Sequence, residues 1–122
     1  MTPTEVLERF ASLLAEGDVQ EVLALYEPDA AFVVEPGKVV TGHDAIGAAL
    51  EAFAALGPSL QGDIEHVVYA GDLALVSNRW VLDGTTPDGK PVRLAGRSAD
   101  VLRHGDNGEW RIVIDDPWGG GQ

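Results

Sequence analysis

Apolar residues in the first half of the chain recur at helical spacing, and in the second half they alternate. Val6, Leu7, Phe10, Leu13 and Leu14 share one helical face and leave Glu5, Glu8, Arg9 and Glu16 on the other, which predicts a helix over 3–16. Thr2, Pro3 and Glu5 supply a cap, a proline at the first helical position and a capping box, and Gly17 supplies a left-handed stop. Asp18 and Glu21 repeat the box and open a short second helix that should run to Tyr26, with Glu27-Pro28-Asp29 ending it. Residues 30–34 read as a short strand, residues 35–38 as a turn and residues 39–41 as a return strand. A third helix follows over 44–56, burying Ile46, Leu50 and Phe53 and stopping at Gly57-Pro58. Beyond it the period falls to two, giving strands over 61–70, 73–82, 92–103 and 110–115 joined by short polar turns. Helices first and a meander after imply an α+β layer in which a curved, mostly antiparallel sheet packs on the helices.

The chain has 122 residues, 45% of them hydrophobic and 23% charged, as expected of one globular domain. That domain should span residues 1–118, with 119–122, opening on a run of glycines, as a flexible tail. Twenty acidic residues against eight basic ones give a net charge of −12, whose field repels phosphate backbones and anionic headgroups, so neither nucleic acid nor a membrane surface is expected as a partner. Cysteine is absent, which removes thiol chemistry and thiolate metal sites. His43, His66 and His104 lack the spacing that chelates a metal, and no glycine-rich phosphate loop is present, so no metal or cofactor is expected. The first residues carry no secretion signal and no apolar run approaches membrane-spanning length, from which a cytoplasmic location is expected.

Several stretches resemble a known superfamily: Leu25-Tyr26-Glu27-Pro28-Asp29-Ala30, Gly42-His43-Asp44-Ala45-Ile46, the strand ending in Arg79-Trp80, Val101-Leu102-Arg103, and Asp106 to Val113. Over about residues 4–118 the sequence is similar to the nuclear transport factor 2-like superfamily, and within it to small bacterial SnoaL-like or YybH/SgcJ-like proteins. The resemblance implies a cone-shaped fold, a conical pocket and a homodimer formed through the outer face of the sheet. Its members include ketosteroid isomerase, polyketide cyclases and dehydratases as well as proteins without a known reaction, so the scaffold alone does not choose a chemistry. The calmodulin-dependent kinase association domain, also similar, implies ligand-facing polar groups at Asn78, Trp80, Asp100 and Asp116, although its basic and His groups are missing here.

Strand parity nominates the inward residues. On the last strand Trp110, Ile112 and Ile114 form the more apolar set, which would carry Asp116 inward and Asp115 outward. On the preceding strand Ser98, Asp100 and Leu102 should face in, with Arg97, Val101 and Arg103 out. One strand earlier Asn78 and Trp80 share a face with Ala74, Val76 and Leu82. Leu73, Leu75, Val81, Val101 and Val113 would then form an apolar outer patch suited to a second copy. The candidate site comprises Asp100 and Asp116 as proton-transfer groups and Tyr26, Asn78, Trp80, Ser98 and Trp118 as substrate contacts. Buried carboxyl groups gain a raised pKa and can shuttle protons or donate to an oxyanion, the logic for which ketosteroid isomerase is a standard example. Two functions fit these residues. One is a cofactor-free isomerase, cyclase or dehydratase acting on a small apolar carbonyl compound; the other is a non-catalytic dimeric module that binds a small-molecule ligand, an amine in preference to a carboxylate. Pairing of Asp100 with Arg97 or Arg79 would favour the second.

Overall fold

The computed structural model describes residues 1–119. Helix α1 (Pro3–Glu16) is capped by Thr2 in a full capping box with Glu5 and ends at Gly17, whose φ of 76° is the left-handed conformation that glycine adopts without strain. Helix α2 is shorter than the sequence predicts, Val19–Leu23, because the chain turns extended at Tyr26. Strand β1 (Tyr26–Glu35) includes Glu27-Pro28-Asp29, so that triplet starts the sheet where a loop was expected. Pro28 is accommodated because the β1 ladder is interrupted between Tyr26 and Ala31, leaving no backbone bond for it to break. Strand β2 (Lys38–Thr41) returns beside β1, and α3 (Gly42–Ala54) follows directly. The meander is β3 (Ser59–Ala70), β4 (Leu73–Thr85), β5 (Pro91–His104) and β6 (Trp110–Asp116). Of the expected tail, 119–122, residues 120–122 lie outside the described residues.

All six strands form one open sheet in the order β2-β1-β6-β5-β4-β3, antiparallel throughout except where β1 runs parallel to β6. The helices cover its inner face. Val6 of α1 and Ile46 and Leu50 of α3 meet Leu102 and Ile112 of the sheet in a core where each is at most 1% exposed. Full burial of such side chains contributes about 1.5–3 kcal/mol apiece. Among the described residues no helix is long and apolar enough to cross a membrane.

Two irregularities decide which residues face inward. Between Ile64 and His66 the β3–β4 register shifts by one residue, and the extra Glu65 binds Arg97 at 3.3 Å and Arg79 at 3.6 Å. Those two arginines are thus occupied away from Asp100. On β6, Ile112 pairs with Leu102 while Ile114 pairs with Val101, so Val113 is an inserted residue. Beyond it the alternation is reversed from the sequence expectation: Ile114 is 40% exposed, Asp115 is buried and Asp116 is turned away. The outer row is correspondingly Val68, Leu75, Val101 and Ile114, aligned across four strands, with Ile114 taking the place expected for Val113.

Candidate functional site

Inside the sheet a cavity of about 550 Å³ opens between α1, α3 and the inner faces of β3–β6. In its wall Phe10, Phe32, Phe53, Trp80 and Trp118 are set among aliphatic side chains, and the strands contribute Asn78, Ser98, Asp100 and Asp115. The lining is mostly apolar with a few convergent polar groups, and the volume lies in the range common to small-molecule sites in other proteins.

The regular pairing of β4 with β5 sets Asn78 opposite Ser98 and Val76 opposite Asp100, and β5 with β6 sets Asp100 opposite Asp115. Asn78, Asp100 and Asp115 therefore share one face, Asp100 directly across from Asp115 and Asn78 at the spacing of a diagonal neighbour of Asp100, about 7–8 Å. Asp100 and Asp115 are hydrogen-bonded to each other through their carboxyl groups, and both are almost wholly buried. Asp115 Oδ2 accepts the Tyr26 hydroxyl at 2.5 Å, and Asp100 Oδ1 accepts the backbone N–H of Asp116 at 3.1 Å. Tyr26 is itself held in place where His43 Nε2 donates to its carbonyl oxygen at 3.1 Å.

Burial raises the pKa of Asp100 well above the ordinary carboxyl value, and the neighbouring Asp115 charge raises it further. Burial also raises Asp115, but donation from Tyr26 and Asp100 works against that rise. Tyr26 is pushed up as well, by burial first and by the Asp115 charge second, so its hydroxyl keeps its proton. Of the two, Asp100 is pushed up further, while a negative charge on Asp115 is the one that the Tyr26 hydroxyl stabilises, so the pair favours sharing a single proton.

The rim is built differently. Trp80 Nε1 donates to the Pro117 carbonyl at 2.7 Å and Trp118 Nε1 to the Val34 carbonyl at 3.2 Å, and the two rings meet edge to face with centroids 5.2 Å apart. The chain after β6 is thereby drawn across the cavity mouth. Ser98 Oγ lies 3.3 Å from the Asn78 carbonyl and also bonds the Asp100 carboxyl.

Of the residues nominated from sequence, Asn78, Trp80, Ser98, Asp100 and Trp118 line the cavity. Asp116 does not: its side chain points away, its Oδ1 accepts the Trp118 backbone N–H at 3.2 Å, and only its own N–H reaches Asp100. The carboxyl group that occupies the expected place is that of Asp115, which the sequence reading set outside. Tyr26 was nominated as a substrate contact and instead sits beneath Asp115, outside the lining. No signal in the pattern marks the exchange: Ile112, Val113 and Ile114 are all apolar, so alternation carries no information across them. Among the described residues no group of three or more His, Asp or Glu side chains is placed to hold a metal ion.

Comparison with known proteins agrees with this architecture. The model of the SnoaL-like domain matches residues 7–113. A nuclear transport factor 2-like superfamily protein from Salmonella enterica serovar Typhimurium superposes with a TM-score of 0.84 at 20% identity, over 98% of this chain and 89% of that one. A scytalone dehydratase-like protein from Novosphingobium aromaticivorans gives 0.82 at 20% identity, over 92% and 77%. A ketosteroid isomerase-like protein from Erwinia carotovora gives 0.80 at 21% identity, over 92% and 88%. No curated protein matches the sequence. At such identities the likeness shows the fold alone.

Proposed function

The chain belongs to the SnoaL-like domain family, and from that premise we propose that it is a cofactor-free acid/base catalyst acting on a small apolar carbonyl compound. The observation that carries this reading is the buried Asp115–Asp100 pair at a mostly apolar cavity, with Tyr26 donating from behind. A carboxylate held in an apolar cavity is a stronger base than one in water, and a neutral carboxylic acid beside it can return a proton. In the proposed step Asp115 takes a proton from the carbon next to the carbonyl, and Asn78 holds the developing oxyanion. Isomerisation, cyclisation and dehydration can all begin in this way. Fold relatives described as isomerase-like and dehydratase-like make the reading natural without selecting among them.

Pairing of Asp100 with arginine would have favoured the non-catalytic reading, and Arg79 and Arg97 are instead bound to Glu65. Exchange of the α-protons of 2-indanone in D2O, followed by proton NMR, tests the catalytic proposal. Exchange well above the buffer rate, lost in Asp115→Asn and Asp100→Asn, is the expected result. A wild-type rate equal to that of buffer would overturn the reading.

The protein also acts, on this proposal, as a homodimer in the cytoplasm. Val68, Leu75 and Ile114 are 52%, 41% and 40% exposed along one row of the outer face, a patch that association would cover. Sedimentation at micromolar concentration should give about twice the 12.9 kDa chain mass, and Leu75→Arg should return it to the mass of one chain. A wild-type monomer would remove the dimer.

A further inference from the structure

We infer that the cavity takes an uncharged ligand that presents a hydrogen-bond acceptor, that Asn78 is the side chain that anchors it, and that organic anions are excluded. This rests on the proposed use of the cavity and names the class of molecule that it admits.

The first support is the balance of charge in the lining. Glu8, Asp63, Asp100 and Asp115 line the cavity, and among the described residues no Lys, Arg or His does. A carboxylate or phosphate entering it would lose its hydration beside Asp115 and find no cation to replace the water. The arginines of β4 and β5 offer no relief, because Arg79, Arg93, Arg97 and Arg103 engage Glu65, Asp83, Glu65 and Glu27 respectively.

The second support is a count of donors on the strand wall. The Trp80 indole N–H is committed to the Pro117 carbonyl, the Trp118 indole N–H to the Val34 carbonyl and the Ser98 hydroxyl to its neighbours on β4 and β5. Asn78 differs from all of these. Its Oδ1 is buried without a hydrogen-bond partner, and the whole amide lies against Gly62, where an added Cβ would come to 2.9 Å from Oδ1 and 3.1 Å from Nδ2. Of the two amide atoms only the oxygen is both buried and without a partner, and Asn78 lines the cavity, so the group it can turn to a ligand is its NH2. Turning the amide over would bury two N–H donors in place of one acceptor, which is the costlier arrangement. Asn78 therefore offers a donor for which the protein supplies no acceptor. It stands a diagonal step from Asp100 and one strand further from Asp115. A carbonyl oxygen on Asn78 would place the adjacent carbon toward the carboxyl pair.

The experiment compares three probes of one shape, 2-indanone, indane and indane-2-carboxylate, titrated against the intact protein and followed by Trp fluorescence or NMR shifts. The expected order is 2-indanone first, about threefold to tenfold tighter than indane as one neutral hydrogen bond allows, with the carboxylate weakest. Asn78→Leu should bring 2-indanone down to the affinity of indane and leave indane unchanged, which also reports that the variant is folded. Binding of the carboxylate as tightly as 2-indanone would overturn the inference, as would an advantage of 2-indanone that survives Asn78→Leu. Should that variant fail to fold, the order of the three probes on the wild type still decides. Asp115→Asn separates the two proposals, since it should abolish α-proton exchange while keeping the preference for 2-indanone over indane. Loss of that preference in the wild type with exchange intact sinks the anchor alone, and the reverse sinks the base alone. Failure of all three probes to bind would overturn the cavity as a ligand site and the inference with it.

Discussion

Strands β5 and β6 lie side by side, each places an aspartate in the cavity, and they do so by different means. On β5 the alternation runs unbroken from Leu94 to Leu102, so Ser98 and Asp100 face inward for the reason that any half-buried strand predicts. On β6 an inserted residue, Val113, breaks the count, and the aspartate facing inward is Asp115, where unbroken alternation would place Asp116. The difference has a chemical consequence. Because of the bulge, the carboxyl groups of Asp100 and Asp115 stand directly opposite one another, while the N–H of Asp116 is left to bond Asp100. A carboxyl pair with one proton between its members depends on that register, as does the hydroxyl of Tyr26 finding Asp115 from the far side.

The largest expected effect sets the two neighbouring aspartates of β6 against each other. Replacing Asp115 by Asn removes the base and should lower α-proton exchange by about 10²–10⁴-fold, the usual contribution of a positioned general base. Asp116→Asn keeps the backbone N–H that Asp100 uses and should leave the rate within about twofold. Equal losses at both positions, measured as initial exchange rates, would break the contrast between the strands. A smaller effect is expected at Tyr26. Tyr26→Phe keeps the ring that meets Phe10 edge to face, with centroids 6.1 Å apart, and takes away the donor to a buried carboxylate. It should cost about 1–3 kcal/mol of stability in urea titrations, the range for stranding a buried acceptor. A variant as stable as the wild type would mean that Asp115 does not rely on the tyrosine.

How much of this was legible in the sequence follows from the same contrast. The capping box at Thr2 and Glu5, the stop at Gly17 and the period-two runs of the meander are local signals, and the helices and strands they announce are present with ends displaced by a few residues. Asn78, Trp80, Ser98 and Asp100 were legible as inward residues because β4 and β5 pair without a break. Asp115 was not, because a bulge within an all-apolar triplet leaves no mark in the pattern, and its cause lies in pairing between distant strands. Tyr26 was legible as important but not in its role: its hydroxyl crosses to a residue 89 positions away. Its assignment to a helix end also failed, for the local signal of Glu27-Pro28-Asp29 reads as a terminator when the strand it joins cannot be seen. Glu65 gave no warning that it would hold Arg79 and Arg97, since it too is an inserted residue.

The shared proton offers a further way to sharpen the comparison, through the pH dependence of stability. An aspartate in the unfolded chain titrates near about 3.9, whereas burial and the Asp115 charge hold Asp100 protonated in the folded protein to higher pH. Between those two pKa values the folded state binds more protons than the unfolded one, so stability must fall as pH rises. The contribution is fully present below the unfolded value and is lost as pH climbs through the folded value, with a slope no steeper than about 1.4 kcal/mol per pH unit for one proton. Asn at position 100 imitates the protonated acid, since its NH2 can still donate to Asp115, and it does not titrate. The difference in unfolding free energy between wild type and Asp100→Asn, from urea titrations at pH 4 to 8, should therefore move steadily against the wild type as pH increases. Taking the difference cancels groups common to both proteins, including Glu5, whose bonds to Thr2 lower its pKa and tilt stability the other way. A difference that stays flat across the range would mean that Asp100 is already ionised in the fold, and β5 would then supply a second charge in place of the acid that β6 needs as its partner.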